Sequence, residues 1–318
     1  MIAVPMDPSL ETFCLYDRRL GSSSYLTDFV LPGATRITCR IGERARRILN
    51  RVPSETTHFL FHIDLTRLDR VPRDRELLCG ELRSRDIVVL NSAVTDLSKR
   101  AIQDTCERAG LPTTHASSTG PQDELLVVKT NRNFRGVPER RLRWHERTML
   151  GIRKHTRLDP RWFEYPVLPR SEVPTMLFTD PEVIVERFVE DSKKSLFRAY
   201  VGGSNVVIGV HHVDARIKKA SDAPPTKRWF LSTDENAQPR DERDAEIAPV
   251  IHAIERFVEA FSLDFGALDI VVDDEMNAHV IDVAVTPSMK VTGDIPDRWI
   301  YIRQGILGIE RECAAVPA

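Results

Sequence analysis

The chain has 318 residues, 42% hydrophobic and 29% charged, with a formal net charge of −2; that length suits two or three lobes with cores of their own, and the charge argues against a protein that coats nucleic acid. No apolar run is long enough to span a bilayer, and residues 1–7 lack the basic and apolar regions of a secretory signal. The five cysteines, Cys14, Cys39, Cys79, Cys106 and Cys313, form no Cys-x-x-Cys pair, so a reduced, cytoplasmic protein without structural zinc is expected.

Residues 1–57 carry weak signals: 21–24 and 31–33 read as loops and 41–50 as a short basic helix. From there the pattern predicts a buried strand over 58–64, a helix over 73–83 and a second strand over 86–91. A helix follows. Leu97, Ala101, Ile102, Thr105 and Ala109 share one face, Thr95 or Asp96 caps the start, Gly110 suits the left-handed C-terminal position, and Pro112 ends it. Strand, helix, strand, helix describes a small open α/β lobe ending near residue 112, with 113–122 as linker.

The next lobe opens with a strand over 124–131. Lys129 near its end meets a polar loop, where a compact cation can reach phosphate, although lysines at strand ends are common. Residues 131–170 hold ten arginines and one lysine against four acids, a balance of +7, interleaved with Trp144, Trp162, Phe163 and Tyr165. Such a stretch reads either as a contact for an anionic substrate or as a solvated insertion whose arginines pair elsewhere. A strand over 183–191 runs into an acidic end. Residues 195–201 and 206–210 form a hairpin about Gly202-Gly203-Ser204-Asn205. Arg198, among apolar neighbours on its first strand, is placed to recognise an anion, substrate or structural. His211 and His212 point to opposite faces, so they do not share a metal. Residues 221–242 read as a mobile loop or lid, 244–261 as an amphipathic helix, and 295–312 as a closing helix begun near Pro296 and Asp297.

Two further strands, 264–274 and 278–287, join at a tight polar turn. Each holds one carboxylate in an apolar run, Asp269 and Asp282. A bare buried carboxylate is costly, so a divalent-metal site, Mg²⁺ with nucleotide phosphates, stands against the alternative of two side chains on a solvated face.

In order, these pieces are a strand ending in Lys129, a strand with Glu186-Arg187-Phe188-Val189, a strand with Arg198, and Asp-Phe-Gly-Ala-Leu-Asp269 followed by Val-Ile-Asp282-Val-Ala-Val-Thr-Pro. Over residues 58–290 this resembles the ATP-grasp superfamily of carboxylate–amine ligases. The phrase Ala109-Gly110-Leu111-Pro112 also resembles the end of their preceding lobe. The resemblance implies a mixed α/β (α+β) fold: an N-terminal open α/β lobe (1–112), a central lobe with a basic insertion (113–189), and a C-terminal lobe with the metal hairpin (190–318). The last two clamp ATP between antiparallel sheets. It implies Lys129 at the phosphates, with Arg135 serving there in place of the family's glycine-rich flap. Glu186, Arg187, Phe188 and Val189 would form the hinge at the adenine, with Glu190 or Asp191 by the ribose. Arg198 would lie at the transferred phosphate or acyl phosphate, and Asp269 and Asp282 would hold Mg²⁺. The implied chemistry is ligation: a carboxylate of a small acid, peptide or protein takes the γ-phosphate, and an amine or other nucleophile displaces it. A nucleotide-binding protein without turnover is the alternative, and a phosphotransferase the third. Substrates are expected to be anionic; neither membrane nor nucleic acid is expected as a partner, and a homodimer is admitted. One departure stands out. Ala284 occupies the place of the family's Asn, a further metal ligand, and a methyl group binds no cation.

Overall fold

In the computed structural model the chain is described over residues 12–19, 24–152, 164–217, 228–232, 244–289 and 296–309. The first part alternates β1 (Thr12–Arg18), α1 (Leu26–Val30), β2 (Thr35–Thr38), α2 (Ala45–Leu49), β3 (Thr56–Ile63), α3 (Arg75–Arg83), β4 (Val88–Leu90) and α4 (Lys99–Arg108). Its four strands form a parallel sheet in the order β2-β1-β3-β4. Phe13 to Tyr16 and His58 to Ile63 are buried without alternation, as expected of strands covered on both faces. Leu26 and Val30 of α1 share a core with Phe13, Leu15 and Leu60, whereas Ile48 of α2 and Leu78 of α3 share another with Tyr16, Phe59 and Phe61.

The start of α4 differs from expectation. Ser98, not Thr95 or Asp96, is the cap, its hydroxyl accepting the Ala101 N–H at 3.2 Å. The Leu97 N–H is drawn to the Thr66 carbonyl at 2.7 Å, and an isolated bridge joins Asp96 to Arg67, so the preceding residues stay extended. Gly110 takes the left-handed conformation (φ 69°) that ends the helix.

The second sheet is antiparallel, β6-β5-β7, from β5 (Leu125–Thr130), β6 (Val167–Pro169) and β7 (Val183–Arg187). It has its own core of Leu126, Val128, Leu177, Val183 and Val185. Between β5 and β6 lie the short helices α5 (Val137–Arg140) and α6 (Trp144–Met149). This segment lies against the first lobe: Leu142 and Leu150 join the core of Ile41 and Leu68.

The third sheet is antiparallel in the order β10-β9-β8-β11-β12, built from β8 (Ser195–Gly202), β9 (Asn205–His212), β10 (Arg228–Leu231), β11 (Phe265–Val272) and β12 (Ala278–Ala284). The expected loop over 221–242 is corrected in part. Arg228–Leu231 pair with β9 as an edge strand, because Trp229 and Leu231 reach apolar packing; residues 218–227 and 233–243 lie outside the described residues. The faces of this sheet are covered by α7 (Ile247–Phe261), through Val250, Ile254 and Phe257, and by α8 (Asp297–Leu307), through Trp299, Ile302 and Ile306. At the β8–β9 turn a Cβ on Gly202 would meet the Ile302 carbonyl oxygen at 2.5 Å, so glycine is required for α8 to approach. Of the adjacent histidines, His211 is buried and His212 exposed, as opposite faces demand.

The first and third sheets share both large cores, and α4 packs on β12 and α7. The three-stranded sheet stands apart with its own. Among the described residues no helix is long and apolar enough to cross a membrane.

Candidate active site

Three neighbouring strands bring three charged side chains into line. Asp269 on β11 is in register with Arg198 on β8 and with Asp282 on β12. Their strand neighbours Phe197, Ala199, Leu268, Ile270 and Val283 are buried. A bulge follows at once: Asp269 faces Asp282 but Ile270 faces Val280, leaving Ile281 unmatched. Bulges re-aim side chains in this way.

Each carboxylate has a cation. Arg198 Nη1 donates to Asp269 Oδ1 at 2.8 Å. Lys99, at the first turn of α4 and 3% exposed, donates to Asp282 Oδ1, which also accepts the Val283 N–H at 2.8 Å. Burial raises the Asp269 pKa and Asp282 adds to the rise, while Arg198 opposes it. Burial works against charge on Arg198 and Lys99. The facing carboxylates outweigh it, Asp269 for Arg198 and Asp282 for Lys99, and both pKa values are raised. Asp269 therefore does not lie on a merely solvated face, whereas the Asp282 side chain is 41% exposed and reaches the buried Lys99.

The second sheet carries a further charged pair. Lys129 Nζ lies 2.6 Å from Glu186 Oε2, and Glu186, 1% exposed, accepts the Thr114 hydroxyl at 2.6 Å. The Lys99 ammonium interacts with Glu186 and Tyr165 as well as Asp282, so one lysine links the two sheets electrostatically. Over the Tyr165 ring lie Arg135, at 5.1 Å from the centroid, and Lys129 at 6.0 Å. Arg135 sits in a turn where Phe134, Arg135 and Gly136 have φ of 44°, 55° and 68°. A left-handed conformation costs about 1–2 kcal/mol at each non-glycine residue.

The remaining expected residues have these positions. The Arg187 N–H donates to the Thr114 carbonyl at 2.6 Å and its guanidinium to the Thr113 carbonyl, and the Phe188 N–H donates to the Leu125 carbonyl at 2.8 Å. Those main-chain donors are engaged in the sheet, and Val189 follows just beyond its last strand. Glu190 is exposed. Asp191 builds the turn into β8, its oxygens accepting the N–H groups of Lys193 and Ser195 at 2.8 Å each. In the basic segment Arg132 pairs with Glu182, and Arg170 binds Glu124 and the carbonyls of Ser117 and Pro121. Trp162 and Phe163 lie outside the described residues.

Lys99 is absent from the residues expected on sequence grounds. The signal that marks it is its position. It follows the Ser98 cap directly, and a cation at a helix N-terminus is disfavoured by the backbone dipole unless an acid holds it.

Asp269 and Asp282 suit one Mg²⁺ that retains water and shares phosphate oxygens, because that ion commonly takes only one or two protein carboxylates. They do not make a protein-only cage. Ala284 offers no oxygen, and among the described residues no three His, Cys, Asp or Glu side chains group to hold a metal.

No family model matches the chain, and no curated protein matches it. Among solved structures, the chain is similar to D-alanine–D-alanine ligase from Bacillus anthracis, with a TM-score of 0.48 and 13% identity over 94% of this chain and 96% of that one. It is similar to the macrocyclase MdnC from Microcystis aeruginosa, bound with precursor peptide MdnA, with a TM-score of 0.48 and 10% identity over 94% and 100%. A RimK domain ATP-grasp protein from Sphaerobacter thermophilus gives 0.45 and 13% over 93% and 100%. At these scores the likeness assigns no residue a role and names no reaction for this chain.

Proposed function

We propose that the chain is an ATP-dependent ligase that joins a carboxylate to an amine through an acyl phosphate. The observation that carries this reading is Lys99, bonded to Asp282 on one antiparallel sheet and in electrostatic reach of Glu186, the partner of Lys129, on another. Two sheets that carry lysine, arginine and paired carboxylates offer the charges a polyanion and its counter-ion need. The three sheets lie within 1–112, 113–189 and 190–318, the lobes proposed here.

In this reading Lys99, Lys129 and Arg135 receive the phosphates, and the backbone about Val189 receives the base. Asp269 and Asp282 hold Mg²⁺, which when bound neutralises phosphate charge. Arg198 lies in register with Asp269, where it neutralises charge on the transferred group. Positioning and cationic neutralisation account for catalysis of this kind, and no protein nucleophile is required. The test measures ADP release against paired acids and amines. Release that requires both an acid and an amine supports a ligase; phosphate left on an acceptor supports a phosphotransferase instead.

A second reading is favoured by Ala284 and by the saturation of both carboxylates by the protein's own cations: a nucleotide-binding protein without turnover. It predicts thermal stabilisation by Mg²⁺-nucleotide with no product from any acid–amine pair.

A further inference from the structure

The parallel sheet has its own binding geometry. From β1 the chain moves outward to β2, and from β3 it moves the other way to β4. The carboxyl ends of β1 and β3 therefore flank a topological switch point, where open α/β sheets bind ligands. β1 ends in Asp17 and Arg18, and β3 in His62 and Ile63, followed by Asp64. A turn from the central lobe covers this edge. The Asn133 N–H donates to Thr66 Oγ1 at 2.9 Å, and the Thr66 N–H to Glu139 Oε1 at 2.8 Å.

The covered edge is polar and unsatisfied. Asp64, Glu139 and Asn133 are each 2% exposed and His62 is fully buried. Asp64 Oδ1, Glu139 Oε2, His62 Nε2 and Asn133 Nδ2 nevertheless have no hydrogen-bond partner among the described residues. Buried polar atoms are rarely left so, because each unmade bond costs about 1–3 kcal/mol. His62 bonds the Asp17 carboxylate through Nδ1 at 2.8 Å. Burial lowers the His62 pKa, so the ring is neutral with its proton on Nδ1, and Nε2 is an acceptor. Three of the four orphaned atoms are thus acceptors. Charge points the same way. Arg19, Arg36 and His62 already bind Asp17. Asp64 feels the cation Arg18 and, against it, the carboxylates of Glu139 and Asp17. Above about pH 7, where Asp64 is ionised, two carboxylates facing one guanidinium leave room for one more positive charge.

We propose that this buried polar cluster binds a primary amine, its ammonium group held by Asp64 and Glu139. The site stands on these polar atoms, whereas its role as the acceptor-amine site of the ligase rests on the reading above. Position supports that role: Thr66, which holds Glu139, also bonds Leu97, two residues before Lys99.

The test uses the full chain without nucleotide at mildly alkaline pH. Thermal stabilisation and calorimetric binding are measured with n-butylamine and putrescine, with butyrate and butyramide as controls. Saturable binding of the amines alone is expected, weakened about tenfold or more in Asp64→Asn and in Glu139→Gln, as for loss of a charged hydrogen bond. Equal binding of butyrate, unaltered amine binding in both variants, or no saturable binding of either amine (a crevice holding water only) overturns the proposal. Mg²⁺-ATP stabilisation is measured in the same samples. Its retention in the variants separates loss of the amine site from misfolding, and its absence in the wild type counts against the ligase reading alone.

Discussion

Asp64→Asn tests the crevice in a way that needs no ligand. Asp64 is 2% exposed, and burial pushes its pKa from 3.8 up to about 7, with Arg18 opposing and Glu139 adding to the rise. A rise of about three pH units at 1.36 kcal/mol each is about 4 kcal/mol. The sign follows from proton uptake. Between the two values the unfolded chain has released the proton and the folded chain still holds it, so stability falls as pH rises and the loss is complete above about 7. Asparagine keeps the shape and has no proton to lose. The variant is expected to match the wild type near pH 4 and to exceed it by up to about 4 kcal/mol near pH 8. Urea unfolding at several pH values measures the difference, and groups common to both chains cancel from it. A difference that stays constant between acid and alkaline pH would refute the buried-carboxyl assignment.

The other predictions concern the cleft and its supports. Asp269→Asn and Asp282→Asn are each expected to abolish Mg²⁺-ATP turnover with the circular dichroism spectrum unchanged; full activity in both removes the metal assignment. Ala284→Asn restores an oxygen and is expected to raise Mg²⁺ affinity in the presence of nucleotide, whereas no change by calorimetry places this side chain away from the ion. Lys99→Met is expected to weaken nucleotide binding by about tenfold or more, as for a charged hydrogen bond, and wild-type affinity would leave Lys99 a purely structural partner of Asp282. Ser98→Ala removes the α4 cap and is expected to cost about 0.5–2 kcal/mol in urea unfolding.

Much of the fold is legible where burial is one-sided or the turn chemistry is explicit. The β8–β9 hairpin, α4 and its Gly110, α7, and the β11–β12 pair all follow from local pattern. β1 and β2 do not. Strand β1 is one short apolar run before Asp17, and without alternation it does not announce a strand. Strand β2 has four residues, and its place beside β1 comes from a crossover that local pattern does not encode. β10 is hidden in a polar stretch because only four residues pair. Within the site, Arg198, Asp269 and Asp282 are conspicuous as charges in apolar strands. Lys99, by contrast, reads as one more cation on an amphipathic helix, and Glu139 as one acid in a basic segment. Their partners Asp282 and Thr66 lie 183 and 73 residues away, beyond the reach of any local periodicity.

The cleft without nucleotide is balanced by its own side chains. Arg198 answers Asp269, Lys99 answers Asp282, and Lys129 answers Glu186. Pairs as buried as Arg198–Asp269 and Lys129–Glu186 contribute little net stability, because desolvation offsets attraction, but breaking one by removing a single partner is costly. A dication alone would have to enter against Lys99 and Arg198. A polyphosphate alone would draw those cations away and leave Asp269 and Asp282 facing each other across adjacent strands. In the proposed ligase the ion and the phosphates, arriving together, would take the carboxylates and the cations respectively, so every charge would keep a partner. On the proposed function the two ligands are expected to be favourably coupled, by the same factor in either order of addition.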